Sequence, residues 1–192
     1  MDVNLKQYWK WDDFQYNDVT KRYRDESRFY HNLNHLEYML EAPFSFNNND
    51  LRTLFVFYHD YYCEPKYREN EKLSAVVAYI DMIVFGFSKT EANLIRSAIE
   101  LSNHKTKIDD QFIGELLDSD LFILASNEEE YDLYVSNVRK EYSHISDDRW
   151  KNGRVEFLQS MLALPRIFNS SLYEEYEEKA RQNILREMRN LE

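Results

Sequence analysis

Phe57-Tyr58-His59-Asp60 decides how this chain is read, together with His31-Asn32-Leu33-Asn34-His35 upstream of it. A histidine followed directly by an aspartate closes an apolar run. Both side chains need polar partners there, and burying either unpaired costs on the order of a few kcal/mol. One divalent ion satisfies both. Imidazole and carboxylate together suit Mn, Fe, Co, Ni or Zn, and the carboxylate also accepts Mg.

The surrounding chain reads as helical. Its 192 residues fit one domain, residues 1–192, with a substantial core. Only 3 Gly and 3 Pro are present, too few for the many tight turns of a sheet protein. The expected fold is an all-α, compact helical bundle. A metal-binding core spans about 28–125, and helices over about 128–190 pack on it.

Helix is expected on either side of a break at Asp12-Asp13, with the aromatics of 5–25 forming a packing flap. It resumes through Leu36, Met39 and Leu40 and stops at Ala42-Pro43. Asp50 is an expected N-cap for a buried helix over Leu51–Tyr58 that delivers the His-Asp pair at its end. Asn70-Glu71 opens another helix, with Ala75, Val76, Tyr79, Ile80 and Ile83 at helical spacing, and Gly86 ends it. Ser88-Lys89-Thr90-Glu91 is a capping box. A short helix follows from about Asp110, then helices over Glu128–Tyr142, from Ser146 to about Leu164, and over Ser171–Arg189.

A formal charge of −11 argues against non-specific binding to a nucleic-acid backbone, which needs clustered Lys and Arg. It leaves a small phosphorylated substrate open, because a metal reverses the local field. Cys63 is the only cysteine, so no internal disulfide forms and a reducing cytosol is the natural setting. The start Met1–Lys6 lacks the apolar core of a signal peptide, and no membrane span is expected. The sequence leaves a homo-oligomer open.

His31 and His35, four apart, would share one face of a helix. Asp118 and Asp120 lie in an otherwise apolar run. Asp118 could cap a short helix or serve the site. Asp120 reads better as balancing a cation. His35, His59, Asp60 and Asp120 then give two imidazoles and two carboxylates, leaving positions for water around a six-coordinate ion. Such an ion lowers the pKa of a bound water and polarises a phosphoryl oxygen. His31 is the candidate proton donor to the leaving oxygen. His104 is a ligand to a second ion, a phosphate donor beside Lys105 or Lys107, or simply a loop histidine near a cap.

The order His, His-Asp, distant Asp resembles the HD-domain superfamily of metal-dependent phosphohydrolases, and is most similar to its small bacterial and phage-type members. The matching stretches are Arg28–His35, Phe57–Asp60, Asn70–Ala75, Asn103-His104, Leu117–Leu121, Gly153-Arg154 and Ala180–Asn183. Tyr30-His31-Asn32 followed by His35 also resembles the start of the cyclic-nucleotide phosphodiesterase site, which implies His31 as proton donor and His35 as metal ligand. The resemblance implies that Asp120 binds metal with Asp118 behind it, and that Glu71 orients a water or contacts a group behind the ligands, although a solvated glutamate at a helix start fits the residue as well. It also offers Arg28, Arg154 and Arg181 as phosphate grips, with Arg28 nearest the site, or as structural partners of carboxylates. The expected activity is hydrolysis of a phosphoester in a small substrate such as a nucleotide. The alternatives are a non-catalytic nucleotide-binding or regulatory module on the same fold, and a metal-free structural cluster.

Overall fold

The computed structural model describes residues 4–191; among them it consists of α-helices and short 3-10 turns, with no strand. The all-α expectation holds. Part of the Met1–Lys6 start lies outside the described residues.

After a 3-10 turn over Leu5–Tyr8 come α1 (Asp13–Tyr23), α2 (Leu33–Glu41), α3 (Asn49–Tyr58), α4 (Asn70–Val84), α5 (Lys89–Glu100) and α6 (Gln111–Leu121). A 3-10 turn over Phe122–Ala125 leads to α7 (Glu128–Glu141) and α8 (Asp147–Ala163), and a second over Ser171–Tyr176 leads to α9 (Glu177–Leu191). Among the described residues no helix is long and apolar enough to cross a membrane.

Most helices begin where a short polar side chain can take an orphan amide. Asp12, Asn32, Asp110, Asn127 and Ser146 each accept from the first turn of the helix that follows. The Ser88–Glu91 capping box forms in both directions. Asp50 is not the cap of α3. Asn48 is, and Asp50 sits in the first turn, where its charge suits the positive end of the helix dipole. Gly86 ends α4 with φ +89°, a backbone state that a Cβ would strain.

The apolar spacing of α4 divides differently from its sequence pattern. Ser74, Ala75, Ala78 and Met82 are buried, while Val76, Ile80 and Ile83 are exposed beside Leu73 and Val84. Helix α5 runs along α4, and small side chains let two backbones approach. The larger aliphatics are left on the outer face.

The core has two apolar clusters. The first gathers the start of the chain and α1–α6, with Phe55, Phe57 and Tyr58 of α3 fully enclosed. Trp9 packs on Phe57 with ring centroids 5.1 Å apart, so the N-terminal aromatics form part of this core. The second cluster joins Leu121 and Leu124 to α7, α8 and α9 around Tyr131, Phe168 and Tyr173. Helix α6 bridges the two, with Leu116 and Leu117 in one and Leu121 in the other. The candidate site lies at this seam.

Candidate metal centre

Each predicted ligand sits at or near a helix end. His35 is in the first turn of α2, His59 caps the C-terminus of α3 with Asp60 next, and Asp120 is in the last turn of α6. A carboxylate at a helix C-terminus faces the negative end of the dipole. The ends of α3 and α6 therefore present like charge to one another and favour a cation between them.

The nitrogen and oxygen atoms converge. His35 Nε2 lies 3.2 Å from Asp120 Oδ1 and 3.2 Å from His59 Nε2. His59 Nε2 lies 3.2 Å from Asp60 Oδ2 and 3.8 Å from Asp120 Oδ1. The ligand atoms of His35, His59 and Asp120 all fall within 4.8 Å of one another. These three residues are positioned to hold a metal ion. Asp60 touches the group through His59.

The donor chemistry fits a divalent cation. The Nδ1–H of His59 donates to the Val56 carbonyl at 2.9 Å, which leaves Nε2 as the ring atom aimed at the cluster. His35 is buried, and its Nδ1 has no hydrogen-bond partner among the described residues. The tautomer of that ring is therefore set by what stands at Nε2. Two imidazole nitrogens and two carboxylates pointing at one another need protons or a cation between them. Burial holds His35 below the usual imidazole range despite Asp120. Burial opposes charge on Asp120 too, but the His104 and His35 rings hold its carboxyl well below the usual range.

The remaining residues take more varied places. His31 does not share a helix with His35: it precedes the Asn32 cap of α2. The turn still brings the rings together, with centroids 5.7 Å apart. His31 Nδ1–H donates to Glu141 Oε2 at 2.6 Å, and Nε2 lies 3.9 Å from Asp60 Oδ2. Glu141, at the end of α7, also accepts from the Tyr30 and His31 amides at 2.8 and 3.0 Å. Burial opposes a charge on His31, but Cys63, Asp60 and Glu141 together hold the ring well above its ordinary pKa. His104, in left-handed backbone at φ 54°, donates Nε2–H to Asp120 Oδ2 at 2.8 Å. It thereby orients a ligand.

Several expected roles move. Asp118 touches none of the ligands. It accepts from the Asn169 and Ser170 amides, both at 2.7 Å, and ties α6 to the loop before α9. Arg28 is spent on the Asp60 and Tyr61 carbonyls at 2.8 and 3.1 Å, so it braces the His-Asp backbone from behind. Arg154 is buried and pairs bidentately with Glu187 at 2.7 and 3.0 Å, with Tyr134 Oη as a further partner. Arg154 also lines the cavity at the site. Arg181 holds Glu177 and the Leu162 and Leu164 carbonyls, far from a phosphate role. Lys105 and Lys107 are exposed, and neither lines the cavity at the site; Lys105 borders a separate hollow beside Glu71 and Arg68. Glu71 lies on the wall between the two.

That cavity is about 460 Å³. Its acidic floor includes Asp60 and Asp120, and Tyr30, Tyr134, Tyr142 and Trp150 form an aromatic wall. Exposed Arg149 stands on its lining. Sequence reasoning missed Glu141, Cys63 and Arg149. Cys63 follows the His-Asp pair by three residues and could have been found as a soft ligand. Nothing in the sequence links Glu141 to a histidine 110 residues away. Comparison with protein-family models, curated proteins and solved structures finds no match, so the geometry carries the functional argument by itself.

Proposed function

We propose that this chain is a metal-dependent phosphohydrolase of the HD-domain type, acting on a small phosphorylated substrate such as a nucleotide. One observation carries the reading. Asp120 brings the buried His35, His59 and Asp120 cluster to the wall of the cavity that His31 and Asp60 also line, and His31 has its outer nitrogen toward Asp60 while its inner nitrogen is fixed by Glu141.

His35, His59, Asp60 and Asp120 would hold the ion. When bound, a divalent cation supplies Lewis acidity toward a phosphoryl oxygen and makes a coordinated water acidic enough to attack near neutral pH. The surroundings of His31 raise its pKa, which favours a proton on Nε2, the atom from which a leaving oxygen would be protonated. Glu141 fixes the ring so that this nitrogen, and not Nδ1, meets the substrate. His104 steadies Asp120, and Arg28 steadies the backbone of Asp60. The cavity volume suits a small ligand. Its aromatic wall supports a planar base, and Arg149 supports an anionic group.

The test is a screen of nucleotides and phosphomonoesters against Mn, Co, Ni, Zn and Mg, with Asp60→Ala and His31→Gln beside the parent. Turnover and metal content should both fall in Asp60→Ala, while His31→Gln keeps the metal and loses turnover. An Asp60→Ala protein that hydrolyses phosphoesters as well as the parent refutes the proposal.

A further inference from the structure

Asp60 stands beside the His35, His59 and Asp120 group and belongs to another. Besides its contact with His59, it forms a second set with His31 and Cys63, in which one atom from each lies within 4.8 Å of the others. The three residues are half-buried and line the cavity. The Nδ1 of His31 is taken by Glu141, so Nε2 is the atom it offers. A ring nitrogen that faces a cavity while its partner N–H is locked on a carboxylate is the arrangement that metal-binding histidines adopt.

We infer that His31, Asp60 and Cys63 form a second, inhibitory site for a thiophilic divalent cation such as Zn²⁺ or Cd²⁺. The inference rests on the phosphohydrolase reading, because it gives His31 two exclusive states. With a proton on Nε2 the ring is the acid of the reaction. With a metal on Nε2 it has no proton to give. On binding, the Cys63 thiol releases its proton to solvent and its thiolate becomes a ligand. A thiolate selects soft and borderline ions over Mg²⁺ or Mn²⁺, so this site differs in preference from the nitrogen and oxygen set next to it.

Charge balance supports two ions at the seam. Asp60, Asp120, Glu141 and the Cys63 thiolate carry four negative charges, and with neutral imidazoles two divalent cations cancel them. Asp60 lies between the two positions, 3.2 Å from His59 Nε2 and 3.9 Å from His31 Nε2 through the same oxygen.

The experiment uses the full chain freed of metal by chelator and then titrated with Cd²⁺, followed by ultraviolet absorbance and equilibrium dialysis. The parent should take up two equivalents and develop the thiolate-to-cadmium charge-transfer band. Cys63→Ser should take up one equivalent with no band. In kinetics with Mn²⁺ present, added Zn²⁺ should inhibit the parent. Its inhibition constant should rise at least about tenfold in Cys63→Ser, each variant being referred to its own uninhibited rate. Uptake of a single equivalent by the parent without the band overturns the inference. So does uptake of two equivalents by Cys63→Ser. The band is read without turnover. A protein that shows it yet hydrolyses no phosphoester removes the catalytic reading and leaves the thiolate site standing.

Discussion

Glu141→Gln isolates the hold on the proton donor. The carboxylate accepts from two backbone amides and from His31 Nδ1–H, the last at 2.6 Å. Glutamine keeps one oxygen for the amides but turns an NH₂ toward Nδ1, donor against donor. The ring then loses both its orientation and a charge that favours its protonated form. A placed general acid contributes roughly 10²–10⁴-fold, so losing its orientation should lower kcat about 10²-fold for an alkyl phosphate ester. A p-nitrophenyl ester leaves without needing a proton, and its loss should stay within about tenfold. The pH dependence has a definite sign. His31 is held above its ordinary pKa, so the protonated form persists to higher pH than in a free imidazole and is lost as pH rises through that raised value. Removing the Glu141 charge lowers the value, and the alkaline limb of the kcat profile moves to lower pH. Equal losses on both esters with an unmoved alkaline limb would refute the reasoning and leave Glu141 a structural residue.

Other perturbations separate the structural groups from the site. Arg154→Ala strands Glu187 in the core and should cost about 3–5 kcal/mol in urea unfolding, whereas Arg154→Met with Glu187→Met should recover much of it; a rise in KM with unchanged stability would restore the phosphate role. Ser88→Ala removes the cap of α5 and should cost about 1 kcal/mol, read as a lower urea midpoint at unchanged slope. Mn²⁺ at a hundred times its Kd should stabilise the parent by about 2.7 kcal/mol against thermal unfolding, and the shift should vanish in Asp120→Ala.

The helical architecture was legible because it is written locally. The capping box at Ser88 and Glu91, the break at Pro43 and the turn at Gly86 depend on residues a few positions apart, and each is found where the sequence puts it. The candidate site was legible for a different reason. A His-Asp pair ending an apolar helix, or a carboxylate within the run before Phe122, is costly unless something answers it, so the cost marks the site. The same reasoning left the basic residues open between gripping a phosphate and pairing with a carboxylate. Arg154 and Arg28 look alike in sequence, and only packing shows that one neutralises Glu187 and the other holds the Asp60 and Tyr61 carbonyls. It failed for α4, where the spacing of Val76, Ile80 and Ile83 fixes a face but not whether a neighbour covers it.

By itself, then, the amino-acid sequence determined that the chain is helical and that His59, Asp60 and Asp120 are too polar for their apolar settings to stand alone. Tertiary structure decided that Glu141 reaches His31 from the end of α7 and that Asp60 stands between two groups of ligands. Helix and cap preferences are short-range and act within a turn or two of chain. Which carboxylate meets which imidazole across the seam depends on how helices far apart in sequence pack, and no local preference encodes that.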